Sequence, residues 1–329
     1  MPAFILSRIL QAIPVLGVVG FIAYAMFTFV GDPVKAMLGL EATDAQRIEL
    51  QHSLGLDQPF LLQYARFMWR AAQGEFGVSY RLARPVAGLI AERLPATLEL
   101  VGAASVLALL IGVPMGVYTG IHRHSFLSRG FLAFSLAGVS LPTFLIGILL
   151  ILVFAVQLGW LPSFGRGEVV QVTSWWSTGL LTWSGQKALI LPAITLGLFQ
   201  MTLILRLVRA EMLEVLRSDY IKFARARGLR ERSVNFRHAL RNTLVPVITI
   251  VGLQLGGLVA FSLVTETVFQ WPGMGLLFIQ SVGVADIPVM SAYLLLIAVL
   301  FVSLNLIVDL LYYAVDPRLR AGSRLRKNP

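Results

Sequence analysis

The amino-acid sequence predicts an all-α, polytopic membrane protein with six transmembrane helices. Of its 329 residues, 57% are hydrophobic and only 13% are charged, whereas soluble globular proteins are usually about one quarter charged. Apolar stretches of about 20 residues, the length that crosses a ~30 Å hydrocarbon core, recur along the chain. This composition excludes a soluble enzyme. The absence of cysteine excludes disulfides and thiolate metal sites.

Six segments have the length and apolarity expected of membrane spans. They are 9–30, 96–120, 130–158, 189–209, 243–265 and 289–314. The first runs for about 22 residues, longer than the roughly 7–15-residue apolar core of a cleaved signal peptide, and is therefore interpreted as a retained helix. An even number of spans puts both termini on the same side of the membrane.

The distribution of basic residues predicts which side that is. With both termini inside, the inner segments hold 18 Lys and Arg and the outer segments hold 9, so the positive-inside rule favours an N-in, C-in orientation. All six tryptophans fall in or beside the outer segments, where indole favours the membrane interface. Because the basic residues lie between apolar spans and not on one solvated surface, nucleic acid is not an expected partner.

The outer segment 31–95 is too long for a simple connection and predicts a small helical cap. Thr43 and Gln46 form a capping box, and Pro59 suits the start of a second helix that runs to about Gly74. A third short helix from about Pro85 is expected to lead into the second span. Two interpretations of the cap remain open: a lid on the membrane interface, or a surface that contacts a partner protein.

The inner loop 210–242 contains the most informative segment. Ser218 and Gly228 are typical of the two ends of a short helix at 219–228. Its residues Tyr220, Phe223, Ala224 and Arg227 share one face by their spacing, while Lys222 and Arg225 point elsewhere. Such a helix either lies on anionic lipid or docks into a cytoplasmic protein.

This loop resembles the cytoplasmic EAA-loop signature of ABC-importer permeases of the peptide and nickel branch. The resemblance rests on Asp219-Tyr220-Ile221 through Ala224-Arg225-Ala226-Arg227-Gly228-Leu229, followed by His238-Ala239-Leu240-Arg241-Asn242 and Pro246-Val247. Six further blocks agree in the same order: Gly31-Asp32-Pro33, Leu54 to Pro59, Glu92 to Glu99, Leu158 to Pro162, Glu266 to Phe269 with Trp271-Pro272-Gly273, and Asp309 to Tyr312 with Asp316-Pro317-Arg318. The match covers nearly the whole chain and is closest to the first permease subunit of dipeptide importers.

The resemblance implies a type I ABC importer permease fold in the bacterial cytoplasmic (inner) membrane. It implies four kinds of partner: a second homologous permease subunit, two cytoplasmic ABC ATPase subunits, an extracytoplasmic peptide-binding protein and the lipid bilayer. The residues implied to couple this chain to the ATPase are Asp219, Tyr220, Phe223, Ala224, Arg225, Arg227 and Gly228. One position departs from the general signature, because Lys222 stands where most importers have an acidic residue; altered charge pairing with the ATPase is the expected consequence.

The chain itself is not expected to be an enzyme. Its four lysines, Lys35, Lys187, Lys222 and Lys327, are all preceded by a residue other than glycine, so no standard phosphate-binding loop is present. By the resemblance, ATP and Mg²⁺ are used by the partner subunits, and this chain binds no cofactor and no metal. Dipeptides or short peptides are the expected cargo; glutathione, nickel and longer peptides remain alternatives within the family.

The predicted domain organisation follows from these spans. It comprises a first helix at 1–30, the extracytoplasmic cap at 31–95, a five-helix permease core at 96–315 that carries the coupling loop 210–242, and a basic cytoplasmic tail at 316–329.

An ion-coupled secondary transporter is a weaker alternative, because such a protein uses ionisable groups near the middle of the membrane. The one acid well inside the sixth span is Asp309. A buried carboxylate needs a partner, and Arg206 sits at a comparable depth in the fourth span. We therefore expect Asp309 and Arg206 to pair, with Asn305 as an additional hydrogen-bonding group.

Overall fold

The computed structural model describes residues 2–29, 43–54 and 57–315. These residues form a helical bundle with a single two-stranded hairpin. The helices are α1 (Pro2–Phe29), α2 (Asp44–Leu54), α3 (Phe60–Ala72), α4 (Val86–Ile121), α5 (Phe126–Ser140), α6 (Thr143–Leu150), α7 (Trp183–Val215), α8 (Asp219–Ala226), α9 (Glu231–Ser233), α10 (Leu240–Val268), α11 (Met274–Val282) and α12 (Ile287–Val315). Two π-helical segments, Ile151–Gln157 and Val234–Ala239, extend α6 and join α9 to α10.

Four helices in the described residues are long and apolar enough to cross a membrane. The apolar spans are Val86–Ile121, Trp183–Val215, Pro246–Val268 and Ile287–Leu310. The bent pair of α5 with α6 and its π-helical extension makes a fifth if it is counted as one span, and α1 contributes a shorter apolar stretch, Leu10–Met26. The chain is thus a multi-pass helical membrane protein.

The predicted third span, 130–158, is not one continuous helix. The structure breaks it between Ser140 and Thr143, and the axes on either side differ by 111°. Pro142 explains the break, because proline has no N–H for the helix ladder and disfavours helical geometry at the residue before it. Pro142 is itself extended, with φ −58° and ψ 138°.

The predicted boundary at residues 95 and 96 is also corrected. Instead of a short cap helix followed by a span, the chain forms one uninterrupted helix, α4, from Val86 to Ile121. Pro95 lies inside this helix and is buried. The predicted capping box at the start of α2 is confirmed. The Thr43 N–H donates to Gln46 Oε1 at 3.0 Å, and the Gln46 N–H donates to Thr43 Oγ1 at 3.4 Å. Residues 30–42, 55–56 and the basic tail 316–329 lie outside the described residues.

The centre of the bundle is the parallel pair α4 and α7, which pack through glycines. An added Cβ on Gly112 would meet Met201 O at 2.9 Å, and one on Gly197 would meet Ala104 O at 2.9 Å. On Gly116 it would meet the Val208 Cβ at 2.6 Å. Small residues at this spacing let helix backbones approach closely in a membrane, where apolar burial between helices supplies little driving force. These glycines therefore let α4 and α7 pack in close contact.

The remaining long helices pack around this pair. α10 contacts α4, α7 and α12, and α1 packs along α12. Gly252 and Gly256 of α10 lie against Val308 and Phe301 of α12, so these two helices are antiparallel. One end of the bundle carries α8 and the arginines around it, and is called the basic end. The opposite end carries Trp160, Trp175, Trp183 and Trp271 and is called the tryptophan end.

The segment 158–182, called the hairpin segment, connects α6 to α7 at the tryptophan end. Its strands β1 (Val170–Gln171) and β2 (Ser177–Thr178) are antiparallel, with Val170 opposite Thr178. β2 packs on α4. The hairpin segment is therefore held against the bundle and does not stand free of it.

The close α4–α7 contact predicts a specific sensitivity to added volume. Gly116→Ala inserts a Cβ within 2.8 Å of Leu205 O, so we expect a loss of roughly 1–3 kcal/mol in the free energy of unfolding. Gly102→Ala is the matched control, because no described atom outside its own helix backbone lies within 4 Å of the added Cβ; there the better helix propensity of alanine should stabilise by up to about 1 kcal/mol. Thermal denaturation of the purified protein in detergent measures both variants. Equal melting temperatures for the two would contradict the packing described.

Candidate functional site

The candidate site is the short helix α8 with its flanking turns at the basic end. Ser218 is its N-cap residue, but the Ser218 hydroxyl donates back to Val215 O at 2.6 Å and does not cap α8. The C-terminus is closed more firmly: the Gly228 N–H donates to Arg225 O at 2.9 Å and the Leu229 N–H donates to Ala224 O at 3.3 Å. This is a Schellman motif, with Gly228 at φ +74°. The predicted roles of Ser218 and Gly228 as boundaries agree with the observed ends of the helix.

One face of α8 anchors it to the bundle. Ile221 is fully buried and Ala224 is 7% exposed; both belong to the apolar cluster that contains Val208 and Met212 of α7 and Val247 of α10. The spacing predicts Ala224 on the same face as Tyr220 and Phe223, whereas the structure assigns it to the anchoring face. Ile221 is the anchor that the sequence reasoning missed, although its position three residues before Ala224 is a visible signal.

An exposed side of α8 next to the anchoring face presents aromatic and basic groups. Tyr220 is 43% exposed and Phe223 is 63% exposed. The Arg227 guanidinium lies 5.8 Å from the centre of the Phe223 ring, within the range of a cation–π contact. Tyr220, Phe223 and Arg227 therefore form a presented surface at spacings of three and four residues, as predicted.

Polar contacts fix the orientation of this surface. Asn242 Nδ2 on α10 donates to the Tyr220 hydroxyl at 2.7 Å. Arg225 Nε donates to Glu231 Oε1 at 2.9 Å, which ties α8 to α9 across the Gly228 turn. Neither contact is predicted from the sequence, because Asn242 lies 22 positions from Tyr220 and Arg225 reaches Glu231 only across the Gly228 turn.

The charged residues at the start of α8 face solvent. Lys222 Nζ donates to Asp219 Oδ1 at 2.8 Å, and this hydrogen bond holds the pKa of the Asp219 carboxyl below its usual range. Both side chains are largely exposed, so their pairing adds little to stability. Lys222 therefore pairs with the Asp219 carboxylate of the same helix.

The exposed surface continues beyond α8 into the turn and the π-helical segment. A groove of about 570 Å³ is lined there by Arg230, Arg232, Ser233, Phe236 and Arg237. Phe236 is 54% exposed and Leu229 is 41% exposed. Apolar and cationic groups thus alternate over a surface larger than the predicted helix. In the described part of the chain, no cluster of three or more His, Asp or Glu side chains could hold a metal ion.

The predicted pair of Asp309 with Arg206 is corrected by the structure. Arg8 Nε of α1 lies 2.9 Å from Asp309 Oδ2. Arg8 and Asp309 meet because α1 and α12 pack together with opposite directions. Arg206, in contrast, is on an exposed side of α7. Asn305 Oδ1 is buried and has no hydrogen-bond partner in the described residues.

Comparison with known proteins identifies relatives over the whole length. Residues 112–321 match the family described as "Binding-protein-dependent transport system inner membrane component", and residues 1–101 match the one described as "Binding-prot-dependent transport system membrane comp, N-term". The dipeptide transport system permease protein DppB of Alkalihalophilus pseudofirmus is 37% identical over 332 residues, which cover 97% of this chain and 100% of that protein. The glutathione transport system permease protein GsiC of Escherichia coli K12 is 39% identical, covering 96% of this chain and 98% of the relative.

A solved structure is similar in fold. It is described as inward facing conformations of the MetNI methionine ABC transporter, and it aligns with a TM-score of 0.55 at 21% identity. The alignment covers 69% of this chain and 96% of the matched chain.

The anchoring of α8 predicts different effects for two conservative changes. Tyr220→Phe removes the hydroxyl that accepts from Asn242, so we expect the local stability of α8 to fall by about 0.5–1.5 kcal/mol and its amides to exchange faster. Lys222→Met removes only an exposed pair and is expected to leave exchange unchanged. Hydrogen exchange of the 219–229 peptide measures both. If Tyr220→Phe exchanges like the unmodified protein, the hydroxyl contact does not orient the helix.

Proposed function

The chain belongs to the family of binding-protein-dependent transport system inner membrane components, and on that premise we propose that it is the permease subunit of an ATP-driven importer for dipeptides or short peptides. The observation that carries the proposal is α8, a short helix anchored by Ile221 and Ala224 that turns Tyr220, Phe223 and Arg227 outward. A short amphipathic helix that is held rigidly between two long helices can enter a groove in another protein. It can then transmit a movement of that protein to the two long helices.

The proposed partner at α8 is a cytoplasmic ATPase subunit. This chain lacks a standard phosphate-binding loop, so ATP and Mg²⁺ would be bound by two ATPase subunits, one under each of two homologous permeases. Asp219, Arg225 and Gly228 act within this chain: Asp219 pairs with Lys222, Arg225 with Glu231, and Gly228 permits the closing turn. Tyr220, Phe223 and Arg227 make the contact itself.

We propose six spans with both termini inside, so that the basic end faces the cytoplasm. α1 supplies the first span, and the bent pair of α5 with α6 supplies the third. The concentration of basic residues in 206–241 supports this orientation, and so do the exposed Trp160 and Trp183 at the opposite end. The segment 31–95 would then form an extracytoplasmic cap that faces an extracytoplasmic peptide-binding protein. Its helix α3 packs along α1, where the Tyr64 hydroxyl donates to Gly17 O at 2.7 Å.

Peptide cargo is supported by two relatives, which are named as permeases for dipeptides and for glutathione. Nickel and longer peptides remain the alternatives. An ion-coupled mechanism is disfavoured, because three carboxylates within the described apolar spans, Glu99, Glu266 and Asp309, have fixed partners. Glu99 pairs with Arg166, and Asp309 pairs with Arg8. Glu266 accepts from the Thr97 hydroxyl and from the Leu276 N–H.

Gly228 offers the sharpest test of coupling through α8. At φ +74°, valine is strained by the backbone, although the space around the residue is open. We expect Gly228→Val to leave the protein in the membrane and to abolish ATP-driven uptake of labelled dipeptide into vesicles, in the presence of an ionophore that dissipates ion gradients. Gly228→Asn is the matched control, because asparagine visits left-handed geometry more readily, and it should keep much of the uptake.

Two results would overturn the proposal. Full uptake by Gly228→Val would show that the turn does not carry coupling. Uptake by the unmodified protein that ends when the ionophore is added, with ATP still present, would indicate an ion-coupled transporter.

A further inference from the structure

Two oppositely charged side chains are buried together at the tryptophan end. Arg166 Nη2 of the hairpin segment donates to Glu99 Oε2 of α4 at 2.6 Å, and Arg166 Nε donates to the same oxygen at 3.2 Å. The two side chains are only 6% and 3% exposed. This contrasts with Arg84 and Glu92, a pair whose side chains are each 53% exposed.

The buried pair organises the hairpin segment around it. Arg166 Nη2 also donates to Ser177 O at 2.7 Å, and Nη1 donates to Ser177 Oγ at 3.3 Å. The Gly179 N–H lies 3.5 Å from Glu99 Oε2. One guanidinium therefore joins both arms of the hairpin segment to α4 at a single point.

A second set of contacts ties the same region to α10 and α11. The Gly165 N–H donates to Phe269 O at 2.9 Å, and the Trp271 indole N–H donates to Ala96 O at 2.9 Å. Thr97 donates to Glu266 at 2.7 Å and accepts from the Met274 N–H at 2.8 Å. One turn of α4, from Ala96 to Glu99, thus receives contacts from three other elements.

Separation of Glu99 from Arg166 would leave two unpaired charges in an apolar region, which is strongly unfavourable. The hairpin segment is therefore expected to follow α4 whenever α4 moves. α4 in turn is interlocked with α7 at Gly112, Gly116 and Gly120, and α7 leads through the short connection 216–218 into α8. A continuous chain of tight contacts runs from the hairpin segment to α8.

We propose that Glu99 and Arg166 are positioning residues that lock the hairpin segment to α4. Through this lock, a protein that binds and displaces the hairpin segment also moves the α4–α7 pair, and with it α8. The identity of that binding protein rests on the proposed function: it is the extracytoplasmic peptide-binding protein with peptide bound. The lock itself concerns this chain alone and has a readout that needs no transport.

The first readout is the accessibility of the hairpin segment. The chain has no cysteine, so Thr178→Cys, at a site that is 6% exposed, introduces one reporter. We expect a membrane-impermeant maleimide to leave this reporter thiol unlabelled in the otherwise unmodified protein and to label it when Glu99→Gln or Arg166→Met is added. Arg84→Met, which breaks the exposed pair, is the control and should leave the thiol protected.

The second readout is ATP hydrolysis by the assembled complex of permeases and ATPases. We expect Glu99→Gln and Arg166→Met to retain basal hydrolysis and to lose most of the stimulation by binding protein loaded with a mixture of dipeptides and tripeptides. Arg166→Lys keeps the charge but cannot contact Glu99 and Ser177 together, so it should recover part of the stimulation. If a single variant does not fold, Glu99→Gln with Arg166→Met removes both charges and is used instead.

Three results would overturn the lock. One is a reporter thiol at position 178 that stays protected in both charge variants. Another is stimulation equal to that of the unmodified complex. The third is a parallel loss of basal hydrolysis, stimulation and melting temperature, which would indicate a purely structural pair. An unmodified complex without any stimulation would contradict the proposed function instead, and labelling of Thr178→Cys would still decide whether the lock exists.

Discussion

The close approach of α4 to α7 is the contact on which the other features of this protein depend. Three glycines spaced four residues apart, Gly112, Gly116 and Gly120, lie against Met201, Val208 and Met212 with no room for a Cβ. In lipid, apolar burial does not drive helices together, so close backbone packing must supply the stability. The result is a parallel two-helix unit that reaches from the hairpin segment at one end to α8 at the other.

The two ends of this unit use different physics. At the basic end, α8 is held by apolar contacts of Ile221 and Ala224, by the hydrogen bond from Asn242 to Tyr220 and by the Arg225–Glu231 pair, and its aromatic side chains stay exposed. At the tryptophan end, buried polar groups do the holding: Arg166 with Glu99, and Thr97 with Glu266. A buried ion pair is costly to form but still more costly to break on one side. The Arg166–Glu99 pair therefore favours one fixed position of the hairpin segment against α4.

Local sequence signals predict local structure well. The Thr43–Gln46 box and the Gly228 turn depend on residues a few positions apart, and both occur as expected. Proline is the less reliable signal, because its effect depends on context: Pro142 interrupts the third predicted span, whereas Pro95 is accommodated within α4. Hydropathy alone weighs both residues equally and so predicts neither outcome.

Contacts between distant residues are beyond the reach of the sequence. Arg166 and Glu99 are 67 positions apart, and the residues around each of them do not predict that the two side chains pair. The need of Asp309 for a partner is predicted correctly, but the choice between Arg206 and Arg8 depends on which helix packs beside α12. The same holds for Asn242, which orients Tyr220 from 22 positions away.

The proposed contact puts the exposed face of α8 inside an ATPase subunit, and site-directed crosslinking distinguishes it from a contact with lipid. Phe223→Cys puts one thiol on the exposed face, and Ile221→Cys puts one on the buried face of the same helix. In the assembled complex in membranes, a thiol-reactive photocrosslinker attached at position 223 is predicted to yield an adduct with the ATPase subunit, while the same reagent at position 221 yields none. Adducts with lipid alone from position 223, in a complex that still hydrolyses ATP, would show that α8 lies on the membrane and not in the ATPase subunit.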